Sequence, residues 1–337
     1  MRDGADAPVS ETCWILTDGA AGAENPCLGL AEALGAKALV KRIAAPLLGG
    51  LIPPQWLPPR RFVPRAGNGG DALEPPWPEL LITSGRRSIG YSIAIRRASH
   101  GRTFTVYIQN PRISPRHFDL VLAPRHDRLS GPNVVETLGS LHRVTRARLD
   151  EAARRFAPEL ASLPRPLVAL LIGGATRRHR LGPTEARAIA DGIRQAGAGA
   201  GLAVTTSRRT GAAVTRVLRE SLQDPACVFW DGTGENPYFG YLGLADVIVA
   251  TSDSINMISE ACATGKPVYV IALEGRGSPR FDRFHRELEA KGSIRRFDGR
   301  LERWTPPALE ETARAARELG RRIAAWRSDL FETPTRP

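Results

Sequence analysis

The stretch LADVIVATSDSINMISEACATGKPVYV, from Leu244 to Val270, restricts the fold of this chain more than any other. An apolar run, Val247 to Ala250, reads as a strand and passes into a polar turn, Thr251-Ser252-Asp253-Ser254. A helix is expected from Ile255 to Thr264. Gly265-Lys266-Pro267 breaks it, and a second apolar strand begins at Val268. This order puts free backbone N–H groups and a positive dipole end at the carboxyl edge of a sheet, where an open α/β sheet holds a phosphate. Glu260, six residues after Ser254, lies where a carboxylate reaches a ribose. Ser252, Asp253, Ser254, Asn256 and Glu260 are therefore candidates for a nucleotide or nucleotide-sugar site.

The rest of the chain repeats the alternation. Near-continuous apolar strands, as in a parallel sheet covered on both faces, are expected at Cys13–Thr17, Ala38–Ile43, Leu80–Thr83, Thr103–Ile108, Leu120–Ala123 and Val134–Thr137. Helices are expected at Asn25–Leu34, Arg87–Ala98 and Arg146–Phe156. After a Pro-rich joint, Pro158 to Pro166, strands return at Leu167–Ile172, Ala203–Thr206, Cys227–Trp230, Val247–Ala250 and Val268–Ala272. Helices there should cover Pro183–Ala196, Gly211–Ser221, Ile255–Thr264 and Arg280–Lys291, and a long amphipathic helix, Pro307–Asp329, closes the chain. At 337 residues the chain exceeds one comfortable core of roughly 150 residues. The reading is two Rossmann-like α/β domains, 1–160 and 161–305, with a terminal helix, 306–337, able to cross back.

Composition removes several function classes. The net charge of +12 is almost wholly arginine, since only Lys37, Lys41, Lys266 and Lys291 are lysines. It divides evenly between the halves, without a basic tail or interleaved aromatics, so nucleic-acid binding is not expected. A phosphorylated ligand or an anionic membrane surface fits better. The segment Lys41 to Arg65, apolar within and basic at both ends, is a candidate for lipid contact through Trp56 and Leu57; packing on its own domain is the alternative. No run approaches the ~20 apolar residues of a membrane span, and no signal core is present. A cytoplasmic location, with peripheral contact at the inner membrane face, is expected. Cys13, Cys27, Cys227 and Cys262 read as free thiols in a reducing compartment, and no spacing suggests a metal or cofactor.

Further polar blocks end the predicted strands. Gly173 and Gly174 suit close approach to a phosphate. Ser207, Arg208 and Arg209 put two guanidinium forks at a strand end, with Thr210 as an alternative helix cap. Asn236 and Pro237 suit a loop over a base, or a helix cap. In the first half, Gly19, Gly22 and Asn25 shape the loop after the first strand, where Asn25 also serves as an N-cap with Pro26 at the first helical position. Ser84, Gly85, Arg86, Asn110 and His126 end later strands and should line one cleft. His126 with Asp127 forms an acid/base pair only if both face it; otherwise it is a surface histidine.

The hydroxyl-rich turn, Glu260 and the Gly265-x-Pro267 ending resemble the donor segment of GT-B glycosyltransferases of peptidoglycan and lipid A synthesis. Those enzymes usually have Ser-Gly where this chain has Asp253-Ser254. Eight ordered blocks also resemble the bacterial relatives of the plant mitochondrial fission factor that recruits a dynamin-related GTPase. They are CWILTDGAAGAENPCLGLAEALG, PWPELLITSGRRS, RHDRLSGPNVVETLG, LIGG, TTSRRT, WDGTGENPY, TSDSINMISEA and GRLERW. Ala20 and Ala23 replace that family's usual Lys and His. The resemblance implies a GT-B arrangement with a cleft, a metal-independent transfer from a nucleotide-diphosphate sugar to a lipid-linked or envelope-related acceptor, and Asp18 or Glu24 as base. A catalytically silent scaffold that recruits a dynamin-like GTPase is the alternative.

Overall fold

The computed structural model describes residues 12–43 and 70–332; all but the first three residues of the expected lipid-contact segment, Trp56 and Leu57 included, lie outside them. The chain forms two compact units, Met1–Arg143 with Glu310–Pro337, and Val144–Leu309.

The first unit holds β1 (Cys13–Thr17), α1 (Ala21–Ala33), β2 (Ala38–Arg42), β3 (Leu80–Ser84), α2 (Ile89–Ala98), β4 (Phe104–Ile108), β5 (Leu120–Pro124) and β6 (Val134–Thr137). Its six strands are all parallel, in the order β2-β1-β3-β4-β5-β6. Alternation of side chains across β1 sorts the two faces. Cys13 and Ile15 pack with α1 and with the terminal helix α9 (Glu311–Glu332), whereas Trp14 and Leu16 pack with Tyr91 and Ile95 of α2.

The second unit holds α3 (Arg146–Leu160), β7 (Leu167–Ile172), α4 (Pro183–Ala196), β8 (Gly201–Thr206), α5 (Ala212–Ser221) and β9 (Cys227–Trp230). It continues through α6 (Tyr238–Leu244), β10 (Val247–Thr251), α7 (Ile255–Cys262), β11 (Val268–Ile271), α8 (Pro279–Ala290) and β12 (Arg295–Arg296). These strands are also parallel, in the order β12-β11-β10-β7-β8-β9. Strand order reverses between β7 and β10, and in a doubly wound sheet the loops leaving the carboxyl ends at such a point form the binding crevice. Helix α3 belongs here because it packs on α6: Gly240 presents a bare Cα to Phe156, and Gly243 to the Leu149 carbonyl.

Two expectations at the first loop are corrected. Helix α1 begins at Ala21, where the Ala20 carbonyl accepts the N–H groups of Ala23 and Glu24. Asn25 is thus not the N-cap, and Pro26 lies inside the helix. Thr210 is likewise no helix cap: Gly211 precedes α5, and the Thr210 hydroxyl turns back onto the loop after β7.

Candidate functional site

At the β7/β10 reversal, a hydrogen-bonded knot ties three strand-end loops together. Gly173 N–H donates to Thr251 Oγ1 at 2.8 Å, and Gly174 N–H donates to Asp253 Oδ2 at 2.9 Å. Thr251 hydroxyl donates to Asp253 Oδ1 at 2.7 Å. Arg209 Nη2 reaches Asp253 Oδ2 at 3.1 Å, and the Asp253 side chain has no solvent exposure. The Thr210 hydroxyl donates to the Gly173 carbonyl at 2.5 Å and accepts from Ser207 N–H at 2.8 Å. Ser252 Oγ accepts the Leu273 N–H at 2.9 Å, tying in the loop after β11. Ser254 is the N-cap of α7, accepting from Met257 N–H at 3.3 Å. Arg208 is exposed and Asn256, in the first turn of α7, is half-buried.

Glu260, further along α7, accepts a hydrogen bond from the Tyr238 phenol at 2.7 Å. Desolvation pushes its carboxyl up to about 7, against the opposing effect of the Tyr238 hydrogen bond. Asn236 Oδ1 accepts the Tyr238 N–H at 3.0 Å, so its side chain shapes the entry to α6.

Beside the knot lies a cavity of about 1240 Å³, floored by Ser252, just past β10, and by the end of β11. Its walls are the loop Ala175–Gly182, the loop Ala272–Gly277 and one side of α8. Arg177, Arg178, Arg180, Arg276, Arg286 and Arg296 line it against Glu274, Asp282 and Glu289, leaving a cationic excess. Arg296 is held by Glu289 at 2.7 Å, but Arg177, Arg276 and Arg286 have no carboxylate partner among the described residues. His179 packs against Phe281 with ring centroids 4.9 Å apart and the planes tilted by 59°. Burial lowers the His179 pKa and pushes His285 down to about 4, so both rings are neutral at neutral pH. Apart from Ser252, none of these cavity residues was singled out in the sequence. The signal was available: EGRGSPR follows a third strand end of the same sheet, with two glycines and a Ser-Pro helix start.

In the first unit the loops after β1 and β3 flank its own reversal, and Asn110 and His126 follow β4 and β5. Asp18 accepts from Ala20 N–H at 3.2 Å and meets Arg87 Nη1 at 3.4 Å. Gly19 adopts φ +83°, and the Arg42 guanidinium passes so close that a Cβ there would lie 2.4 Å from Nη1. Arg42 also pairs with Glu24 at 3.3 Å. Gly22 and Asn25 fall in the first two turns of α1. Gly85 (φ +86°) opens toward Ala23, Ser84 is buried and Arg86 exposed. Asn110 Oδ1 accepts Arg112 N–H at 2.8 Å, after Gln109 takes a left-handed φ of +84°. His126 is wholly buried in a 3-10 turn, which overturns the surface-histidine reading.

Comparison with known proteins agrees with this architecture. The family profile described as mitochondrial fission ELM1 matches residues 21–323. The mitochondrial fission protein ELM1 of Arabidopsis thaliana is 31% identical, over 96% of this chain and 94% of its own. A Rickettsia prowazekii protein is 22% identical, covering 71% of this chain and 78% of its own. Among solved structures, the UDP-GlcNAc 2-epimerase of Methanocaldococcus jannaschii superposes with a TM-score of 0.53 at 12% identity, over 91% of this chain and 98% of that one. The Neisseria meningitidis UDP-GlcNAc 2-epimerase bound to UDP-GlcNAc gives 0.50 at 11%, over 96% and 99%. At such identities the likeness establishes the fold.

Proposed function

This chain belongs to the mitochondrial fission ELM1 family, and on that premise we propose that its second unit binds a nucleotide-diphosphate sugar in the arginine-lined cavity. One observation carries the reading: of the six guanidinium groups that line a large cavity at the sheet's point of reversal, only Arg296 has a carboxylate partner among the described residues. Guanidinium forks match the paired oxygens of a diphosphate. The neutral imidazoles of His179 and His285 offer hydrogen bonds to sugar hydroxyls, and the Phe281 ring gives an apolar wall. The same fold holds UDP-GlcNAc in the Neisseria epimerase, which supports the ligand class.

A catalytically silent scaffold is the second reading. It is favoured by the knot at Asp253, which engages donors a phosphate would otherwise use.

Isothermal titration of the full chain with UDP and UDP-GlcNAc tests the proposal. Binding is expected, with Arg276→Ala and Arg286→Ala each weakening it about tenfold through loss of a charge-assisted contact. Under saturation, ligand at 100 times Kd should add about 2.7 kcal/mol to unfolding. Absence of binding at millimolar nucleotide would leave the scaffold reading.

A further inference from the structure

The double glycine after β7 has the form of a phosphate cradle: two successive N–H groups, no side chains, and an arginine opposite. Its donors are nevertheless already engaged. Gly174 N–H and Arg209 Nη2 both donate to Asp253 Oδ2, while Gly173 N–H reaches Asp253 Oδ1 through the Thr251 hydroxyl. The space is taken as well. A Cβ on Gly173 would lie 2.1 and 2.2 Å from the two Asp253 carboxylate oxygens, so the carboxylate rests flat on a bare Cα. A Cβ on Gly174 would lie 2.2 Å from the Arg209 carbonyl. With no solvent exposure at the Asp253 side chain, no second anion fits beside it.

The geometry points to Asp253 as a resident anion that fills the backbone cradle of the second unit and confines ligand phosphates to guanidinium groups outside it. Asp253 is thus a specificity-determining residue: it offers three donors the partner they need and sets a buried negative charge against any phosphate seeking the same N–H groups. Arg177, Arg276 and Arg286, which have no carboxylate partner among the described residues, are among the groups left to receive an anion. The inference takes its ligand class from the functional reading above, but the state of the cradle does not depend on it. It also explains why Asp253 stands where the resembling glycosyltransferases have a residue without charge.

The test uses the full chain, inorganic pyrophosphate and three measurements. By isothermal titration, Asp253→Gly should bind pyrophosphate about tenfold or more tightly than the parent, since three donors become available. Adding Gly173→Ala to that variant should abolish the gain, because the new methyl group occupies the cradle. In the parent, the Gly173 and Gly174 amide resonances should stay in place at saturating pyrophosphate. Asp253→Ser serves if the glycine variant does not fold, as judged by its melting curve. Movement of those amides in the parent, or a folded Asp253 variant with unchanged or weaker affinity, would overturn the inference. A parent that binds no nucleotide overturns the functional reading instead, and the variants still decide the cradle.

Discussion

Glu260 and His285 carry opposite pH dependences, because burial penalises the charged form of each. For Glu260 the folded pKa of about 7 exceeds the ordinary 4.5, so the fold binds the proton more tightly than the unfolded chain. Its contribution is fully present below pH 4.5 and is lost as pH rises through 7. Glu260→Gln should therefore be more stable than the parent at pH 8 by about 1–3 kcal/mol, discounted for partial exposure, with the difference vanishing near pH 5. Paired denaturation curves at the two pH values check this; equal gaps at both would remove it. For His285 the folded pKa of about 4 lies below the ordinary 6.5. The unfolded chain takes up a proton that the fold refuses, so stability falls as pH drops from 6.5 to 4, and His285→Gln should flatten that slope in urea titrations. Asp253 and Glu260 were legible in the sequence as polar candidates, but their partners were not, and His285 was not singled out at all. Asp253 reads as a charge beside a ligand until the fold turns it onto Gly173, and Glu260 meets Tyr238 from an element of which the sequence offered only a start, as the alternative cap reading at Asn236-Pro237.

That element, α6, shows where pattern reading stops. Its residues, YFGYLGL, combine aromatics and two glycines, all weak helix formers, and no periodicity marks them as a helix. The helix persists through tertiary contact: the bare Cα atoms of Gly240 and Gly243 let α3 approach, and Lys266 Nζ donates to the Leu242 and Gly243 carbonyls at 2.7 and 2.6 Å. A cation at the carboxyl end also meets the favourable end of the helix dipole. Gly240→Ala should cost about 1–3 kcal/mol by overpacking against Phe156, despite improved propensity. Lys266→Met should cost a similar amount, roughly 1–3 kcal/mol, by leaving two part-buried carbonyls without their donor. Stability unchanged in guanidinium titrations of either variant would show that α6 is not held this way. Strands, by contrast, announced themselves: β1, β6, β7 and β9 occupy the predicted ranges. In β1 and β7, buried throughout, both faces of a parallel sheet leave a continuous apolar signature, whereas the edge strands β6 and β9 are only partly buried. The two-residue β12, Arg295–Arg296, has no such run and was invisible.

Across the whole molecule, the chain returns to its first unit after completing the second, and the returning helix is part of a core. Ala315, Ala316, Leu319 and Ile323 of α9 pack with Cys13, Ile15 and Leu30, and Trp326 meets Phe104 edge-on at 5.5 Å. The entry to α9 is pinned by polar bonds: Glu311 Oε2 accepts Leu138 N–H at 2.8 Å, and Thr312 Oγ1 accepts His142 N–H at 3.0 Å. Arg327, near its other end, pairs with Glu79 at 2.5 Å. Amphipathic periodicity in the sequence shows that such a helix needs an apolar partner, but not which sheet supplies it. Because its apolar stripe covers β1 and β3, ending the chain at Leu309 would expose the first unit's sheet while leaving residues 144–309 intact. Limited proteolysis of that truncation should degrade the first unit and spare a fragment corresponding to the second. A milder lesion separates packing from chain length: Leu319→Ala, at a fully buried position, should cost about 2–5 kcal/mol in the first unit's unfolding. Hydrogen exchange should then quicken in β1 and β3 and stay unchanged in β7 and β10. Equal quickening in both sheets would mean that α9 stabilises the whole chain rather than the core it touches.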